Sequence, residues 1–277
     1  MTPDRCSERK SIDTVSNILA ESNHVIALIG AGLSSESGIP TFRGPGGLWT
    51  KIGEPPLNGY EAFKQDPGKW WRQNIDEASD PTRTEFRHAI DNAQPNHGHM
   101  ALVQLESIGV LKHQITQNVD NLHFKAGSSA VTEIHGNRNK LRCVVCELRW
   151  NKSDFPSGDI EATLKIAPNN FYPTCPECNG IVKTDTVMFG EPIPEYVMKE
   201  CFYQTNQSDC ILVIGTSATV YPAASFPERV KNNGGLVIEA NPNETTLSNY
   251  ADHVLRGPTG KILPILARKT SELLGRG

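Results

Sequence analysis

The sequence predicts an α/β protein, a Rossmann-like doubly wound parallel sheet with a smaller domain made of a zinc-binding module and a helical module. Three observations predict it. Short apolar runs of strand length alternate with segments of helical spacing, the pattern of a parallel sheet covered on both faces. The first of these runs ends at Gly30-Ala31-Gly32, where such sheets place a ligand. Two Cys-x-x-Cys pairs then interrupt the alternation within residues 141–183.

Each element follows from local pattern. Ile12, Val15, Ile18 and Leu19 recur at helical spacing, so residues 11–20 form a helix. Val25 to Ile29 is a continuous apolar run and reads as a buried strand. Residues 44–60 hold GPGGLW and GEPPLNGY and read as a loop. Residues 61–93, with Trp70 and Trp71, lack strand alternation and predict short helices. Asn96 caps a helix whose apolar face holds Met100, Leu102 and Leu105 and which stops at Gly109. Strands follow at Leu111 to Thr116 and Val131 to Ile134. After the cysteine segment come a strand at Ile211 to Ile214, a helix through Ala223 to Lys231, a strand at Leu236 to Glu239 and a closing helix at Ile262 to Leu274. A chain of 277 residues exceeds one average domain. We divide it into a large nucleotide-binding-type domain (1–44, 94–140 and 184–277) and a small one, built from a helical module (45–93) and a zinc-binding module (141–183).

Composition narrows the function. A net charge of −4 argues against a protein that coats nucleic acid, and no intrinsic nucleic-acid binding is expected. No stretch approaches the roughly 18 apolar residues of a membrane span. The opening MTPDRCSERKSIDTV lacks the apolar centre of a secretory signal, so a cytoplasmic location is expected. In a reducing compartment the pairs Cys143/Cys146 and Cys175/Cys178 read as four sulfur ligands to one structural zinc, a closed site with no open position for catalysis. Cys6, Cys201 and Cys210 have no matching partner and read as buried or incidental thiols.

The remaining signals sit at strand ends. Glycines after the first strand let a phosphate approach, although the third glycine of the dinucleotide fingerprint is replaced by Ser35; taken alone the segment is equally a tight turn. Ser34, Ser35 and Ser37 add hydroxyls, Gly38-Ile39-Pro40 cuts any helix short, and Phe42-Arg43-Gly44 adds a ring and a cation. Thr116-Gln117-Asn118-Val119-Asp120-Asn121 begins where the second strand ends and offers an amide and a carboxylate; a polar turn capping a helix is the plainer reading. His135 lies at the edge of the third strand, a position that suits a base near neutral pH. His123 is its rival and reads also as a packed histidine, while His97 and His99 lie at a helix start where capping explains them. Gly215-Thr216-Ser217 and Glu239-Ala240-Asn241 repeat the pattern of small and polar residues after buried strands.

Taken together, GAGLSSESGIPTFRG (30–44), TQNVDNLH (116–123), IHG (134–136), the four cysteines, MFGE (188–191), GTS (215–217) and EANP (239–242) resemble the sirtuins, NAD-dependent protein-lysine deacylases, in family order from residue 25 to the last helix. The resemblance implies a cleft between the two domains that holds NAD as co-substrate and an acyl-lysine of a protein or peptide. It implies that Gly30, Ala31, Gly32, Ser34 and Arg43 line the pyrophosphate, with Phe42 on the nicotinamide side. Gln117, Asn118 and Asp120 would hold the nicotinamide ribose and carboxamide, and Gly215, Thr216, Ser217 and Asn241 the adenosine half. His135 would be the base, with Asn118 and Asp120 completing the catalytic set. The peptide would add as a strand beside Phe189-Gly190-Glu191 and Val220-Tyr221. Two positions depart from the family pattern: Thr41 stands where many members have Asp, and Lys183-Thr184 where a Pro is frequent. No Tyr-x-x-Arg pair for an acidic acyl group occurs in residues 50–95, so a neutral acyl group, acetyl first, is expected. A mono-ADP-ribosyltransferase and a non-catalytic NAD-responsive binding module are the alternatives.

Overall fold

The computed structural model describes residues 5–44, 46–75, 80–156, 158–168 and 171–276. The chain opens with α1 (Arg5–Glu21) and β1 (Val25–Ile29), then two 3-10 turns, Ala31–Leu33 and Ser35–Ser37. Four short helices follow: α2 (Leu48–Ile52), α3 (Gly59–Gln65), α4 (Pro67–Ile75) and α5 (Pro81–Asn92). Next come α6 (His97–Ser107), β2 (Leu111–Thr116), α7 (Leu122–Ala126) and β3 (Val131–Glu133). The cysteine segment contributes β4 (Lys140–Cys143), β5 (Arg149–Asn151), α8 (Ile160–Ile166) and β6 (Val182–Thr184). The chain then runs through α9 (Glu195–Gln207), β7 (Cys210–Ile214), α10 (Phe226–Asn232), β8 (Leu236–Asn241), β9 (His253–Arg256) and α11 (Thr259–Leu273).

Six strands form one parallel sheet in the order β3-β2-β1-β7-β8-β9. The two winding directions part between β1 and β7, the switch point at which such sheets open a crevice beyond their strand ends. Every residue of β1 and β7 is buried, which explains their unbroken apolar runs. Val25, Ala27 and Ile29 face α1, α6 and α11, while Ile26 and Leu28 face α9 and α10. The cysteine segment forms a separate antiparallel sheet, β5-β4-β6. Its own core joins Leu141, Phe155, Leu164 and Val182 to Trp71 of α4.

Two local expectations needed revision, and two elements, α9 and β9, had not been expected. Residues 44–60 contain a helix, α2, anchored by buried Leu48; the glycines and prolines mark its flanks. β9 has only four residues at the sheet edge, and α9 follows the prolines at 192 and 194, so neither announced itself as periodic pattern. The helix expected through Ala223 to Lys231 divides into a 3-10 turn, Ala223–Ser225, and α10.

Candidate active site

At the switch point a cleft of about 1880 Å³ runs between the strand ends of the large sheet and the α2–α5 region. Gly30 N–H donates to the Ile214 carbonyl at 2.9 Å and Gly32 N–H to the Gly215 carbonyl at 2.7 Å. A Cβ on Gly30 would stand 2.6 Å from Thr216 Cβ, and one on Gly32 would stand 2.7 Å from Gly215 Cα. The loop after β1 is therefore glycine-rich first because the loop after β7 packs directly on it. Gly30, Ala31 and Gly32 line the cleft, as do Gly215, Thr216 and Ser217 from the other side.

Ser34 and Asp120 do not line the cleft; they sit behind its wall, 1% and 5% exposed. Ser34 Oγ donates to Asp120 Oδ2 at 2.6 Å and accepts from Asn118 Nδ2 at 3.1 Å. Asn118 Nδ2 also reaches the Gly30 carbonyl at 3.1 Å, and Asp120 Oδ1 accepts from Leu122 N–H at 2.9 Å. The strand geometry stops at Thr116, yet Asn118 and Asp120 still converge, on Ser34. Gln117 Nε2 donates to Thr216 Oγ1 at 3.0 Å and bridges the two strand ends.

His135, half-buried, lines the cleft directly after β3. Its Nδ1 lies 3.2 Å from the Gln117 carbonyl. A carbonyl only accepts, so Nδ1 carries the proton and Nε2 keeps its lone pair. Burial pushes the imidazole pKa below 6.5 against the opposing pull of that carbonyl. His123 is instead packed among side chains, 4% exposed, with Nε2 3.4 Å from Glu133 Oε1 in poor hydrogen-bond alignment. His99 is the residue that sequence reasoning left as a cap. Asn96 does cap α6, accepting from Gly98 and His99 N–H while His99 Nδ1 accepts from Asn96 N–H. The same ring is buried beside Asp120; burial pushes its pKa down to about 4, so it is neutral at pH 7. Asn96 Nδ2 also donates to the Leu33 carbonyl at 2.7 Å and thereby ties α6 to the glycine loop. Only a spatial neighbour distinguishes His99 from a simple cap, and sequence spacing carries no such signal.

Phe42 joins an aromatic run: its ring lies 4.9 Å from Trp49 and 5.4 Å from Phe86, and Trp49 lies 5.5 Å from Phe189. Arg43 lines the cleft, stacks over Trp49 at 4.5 Å and donates Nε to Glu54 Oε1 at 2.8 Å. Thr41 Oγ1 donates to the Arg43 carbonyl at 2.9 Å, closing a local turn without charge. At the other end Asn241, 8% exposed, donates Nδ2 to the Thr216 carbonyl at 3.0 Å.

Phe189, Gly190, Glu191, Val220 and Tyr221 all line the cleft. Met188–Glu191 is a tight turn, with Glu191 N–H donating to the Met188 carbonyl at 3.0 Å, and the Phe189 carbonyl accepts from Tyr60 N–H at 3.1 Å. Tyr221 is exposed, and the Val220 carbonyl accepts from Ala224 N–H at 2.9 Å.

The four cysteine sulfurs lie within 4.8 Å of one another, with Cys143–Cys178 at 3.5 Å and Cys146–Cys175 at 3.6 Å. Tetrahedral zinc with Zn–S bonds of about 2.3 Å spaces its sulfurs about 3.8 Å apart, so the donor set fits. Each pair is presented by a matching knuckle. The residue after the second cysteine, Glu147 or Asn179, has a positive φ and returns its N–H to the first cysteine's carbonyl at 3.1 or 2.9 Å. Cys201 and Cys210 are buried, and burial pushes both thiols up to about 12, which keeps them protonated. The side chain of Cys6 lies outside the described residues.

The fold and the site define a dinucleotide-binding α/β protein that carries a four-cysteine module. The chain belongs to the Sir2 family, whose model matches residues 30–222. It is 41% identical over 261 residues to the NAD-dependent protein deacylase of Thermococcus kodakarensis, covering 93% of this chain and 95% of that one. It is 42% identical over 256 residues to NAD-dependent protein deacylase 1 of Archaeoglobus fulgidus, covering 92% and 96%. Among solved structures, a Sir2 homologue variant with ADP-ribose matches with a TM-score of 0.77, at 39% identity over 95% of this chain and 98% of that one. A Sir2 homologue complexed with NAD matches with a TM-score of 0.75, at 38% identity over 95% and 94%.

Proposed function

We propose that this chain removes acyl groups, acetyl first, from protein lysines at the expense of NAD, releasing nicotinamide and an O-acyl-ADP-ribose. The observation that carries the reading is His135: a neutral imidazole on the cleft wall, its Nδ1 proton committed to the Gln117 carbonyl and its Nε2 free to accept one. NAD lies across the strand ends, with its pyrophosphate over Gly30, Ala31, Gly32 and Arg43 and its adenosine half against Gly215, Thr216, Ser217 and Asn241. Phe42 covers the nicotinamide side, and Gln117 and Asn118 meet the nicotinamide ribose and carboxamide. Ser34 and Asp120 act from behind by orienting Asn118. Arg43 exchanges Glu54 for the pyrophosphate when NAD enters.

The acyl oxygen attacks the ribose carbon that bears nicotinamide; the glycosidic C–N bond breaks and nicotinamide leaves with the electron pair. His135 then takes a proton from a ribose hydroxyl, whose oxygen attacks the amidate carbon. Water completes release of the lysine amine. Zinc on Cys143, Cys146, Cys175 and Cys178 supplies a structural crosslink and no step of the reaction. Residues 50–95 hold no Tyr-x-x-Arg pair for an acidic acyl group, which supports a neutral one. Among the described residues no helix is long and apolar enough to cross a membrane. A cytoplasmic location is part of the proposal, since a reducing compartment keeps the four cysteines available to a metal.

The test is mass spectrometry of an acetyl-lysine peptide incubated with the protein, with and without NAD. NAD-dependent loss of acetyl with equal nicotinamide and O-acetyl-ADP-ribose is expected. ADP-ribose appearing on protein instead supports a transferase, and NAD binding without turnover of any acyl peptide supports a non-catalytic module.

A further inference from the structure

β4 and β6 pair so that Arg142 stands opposite Lys183. Two cations across a ladder repel, and both are buried, at 3% and 0% exposed. Glu191 answers both. Its Oε1 accepts from Arg142 Nη2 at 2.6 Å, and its Oε2 lies 3.0 Å from Lys183 Nζ and accepts from Met188 N–H at 2.8 Å. Lys183 Nζ also donates to the carbonyls of Thr184 at 2.9 Å and Thr186 at 2.7 Å, so all three of its protons have acceptors. Asp185 lies 3.2 Å from Arg142 Nε and completes the group.

Glu191 divides its two ends between two environments. Its side chain is 2% exposed, yet the residue as a whole is half-buried and lines the cleft beside Gly190. What Glu191 shows to the cleft is therefore backbone, and its carboxylate is an anchor pointing inward. A buried ion cluster of this kind adds little net stability compared with apolar packing of the same volume. It does impose one geometry, because every bond in it is directional. The same carboxylate oxygen that meets Lys183 also accepts from Met188, which closes the Met188–Glu191 turn on itself.

We propose that Lys183 and Arg142 are positioning residues for the substrate peptide: through Glu191 they fix the turn whose backbone receives the chain that carries the acyl-lysine. This rests on the deacylase reading above and adds to it a device for peptide affinity separate from NAD affinity. The turn is held from the cysteine module, whereas the dinucleotide contacts come from the strand ends of the large sheet. Disturbing the anchor displaces the peptide edge and leaves the dinucleotide wall in place.

The experiment compares wild type, Lys183→Met, Glu191→Gln and the double variant in steady-state turnover of an acetyl-lysine peptide. ADP-ribose affinity and zinc content are measured on each protein. Lys183→Met leaves the Glu191 carboxylate short of one cation; Glu191→Gln leaves two buried cations without it. The expected result is a peptide KM raised about ten- to a hundredfold in each single variant, the signature of lost peptide binding rather than of a slower chemical step. With Lys183→Met, kcat at saturating peptide, ADP-ribose affinity and one zinc per chain are retained. The double variant restores the charge balance, with Arg142 keeping Asp185, and recovers part of the loss, which a merely structural lesion does not do. Peptide KM within about twofold of wild type in both single variants overturns the proposal. So does a parallel fall in ADP-ribose affinity or zinc content, which marks general loosening. Wild type serves as the separate control: if it shows no NAD-dependent loss of acetyl, the deacylase reading itself fails, whatever the variants do.

Discussion

The contact between the loops after β1 and β7 makes a graded prediction for alanine at three glycines. Gly215 has φ of +58°, and a Cβ there would stand 2.5 Å from Leu33 N and 2.7 Å from Gly32 C. Left-handed backbone costs a residue with a Cβ roughly 1–2 kcal/mol. Overpacking adds about 1–3 kcal/mol, toward the upper end here because the facing atoms are backbone and cannot rotate away. Gly215→Ala is thus expected to cost about 3–5 kcal/mol and to part the two loops that form the dinucleotide wall. Gly32→Ala meets Gly215 Cα at 2.7 Å without the φ penalty and is expected to cost about 1–3 kcal/mol. Gly38→Ala has φ of +86° but nothing within 4 Å, so it bears only the backbone penalty, about 1 kcal/mol after the stiffer unfolded chain is credited. Urea unfolding gives the stabilities and calorimetry the ADP-ribose affinities. ADP-ribose binding should weaken most for Gly215→Ala, less for Gly32→Ala and hardly for Gly38→Ala. If Gly215→Ala binds ADP-ribose within about twofold of wild type, or Gly38→Ala is the worst of the three, the account of the glycine loop is wrong.

Other expectations follow from the same geometry. A depressed His135 pKa means the imidazole is already neutral below pH 6.5, so the acid limb of kcat/KM lies under that value and activity falls only as the base protonates there; a limb at or above 6.5 contradicts the buried base. Ser34→Ala removes a donor from Asp120 and an acceptor from Asn118 in a buried site, and should lower stability by about 1–3 kcal/mol and weaken NAD use more than peptide use. A peptide-only defect counts against Ser34 as the support of Asn118. Cys146→Ser should release the metal and disorder the cysteine module. Trp70, Trp71 and Trp150 belong to that module's core, so intrinsic fluorescence reports it; zinc loss with unchanged fluorescence refutes a structural role.

How much of this was legible in the sequence depended on burial. β1 occupies the residues expected of it and β7 starts one residue earlier than expected, because strands buried on both faces leave continuous apolar runs. β9 at the edge left no comparable run. The cysteine quartet was readable from spacing alone, since four soft donors in matched pairs have few other uses. That His135 lines the cleft was readable because a strand edge is a local property. The pairings of Ser34 with Asp120, Arg142 with Glu191 and His99 with Asp120 were not: each joins residues far apart in the chain, and nothing near either partner marks it. The glycine loop was legible in place and only half legible in cause, because its nearest tenant is Gly215 as well as any phosphate. Arg43 was singled out as a cation, but its attachment to Glu54 depends on how the loop after it folds.

Among the described residues, the apolar cluster of the cysteine module shares no member with the two that flank the large sheet. The joint is made largely of charge. Glu133, at the end of β3, pairs with Lys140 at 2.9 Å and Arg149 at 3.3 Å, and Asn137 Nδ2 donates to it. Asp185 pairs with Arg149 and Arg142 and accepts from Asn137 N–H. Burial opposes ionisation of Glu133, yet His123, Lys140 and Asn137 together hold its carboxyl down to about 2. Ion clusters of this sort do little to strengthen a joint, but unlike an apolar seam they do not slide. At one end of this network stands Glu133, two residues before His135; at the other stands Glu191, beneath the peptide turn. The base and the peptide edge proposed above are thus joined by one connected frame, which runs through the cysteine module.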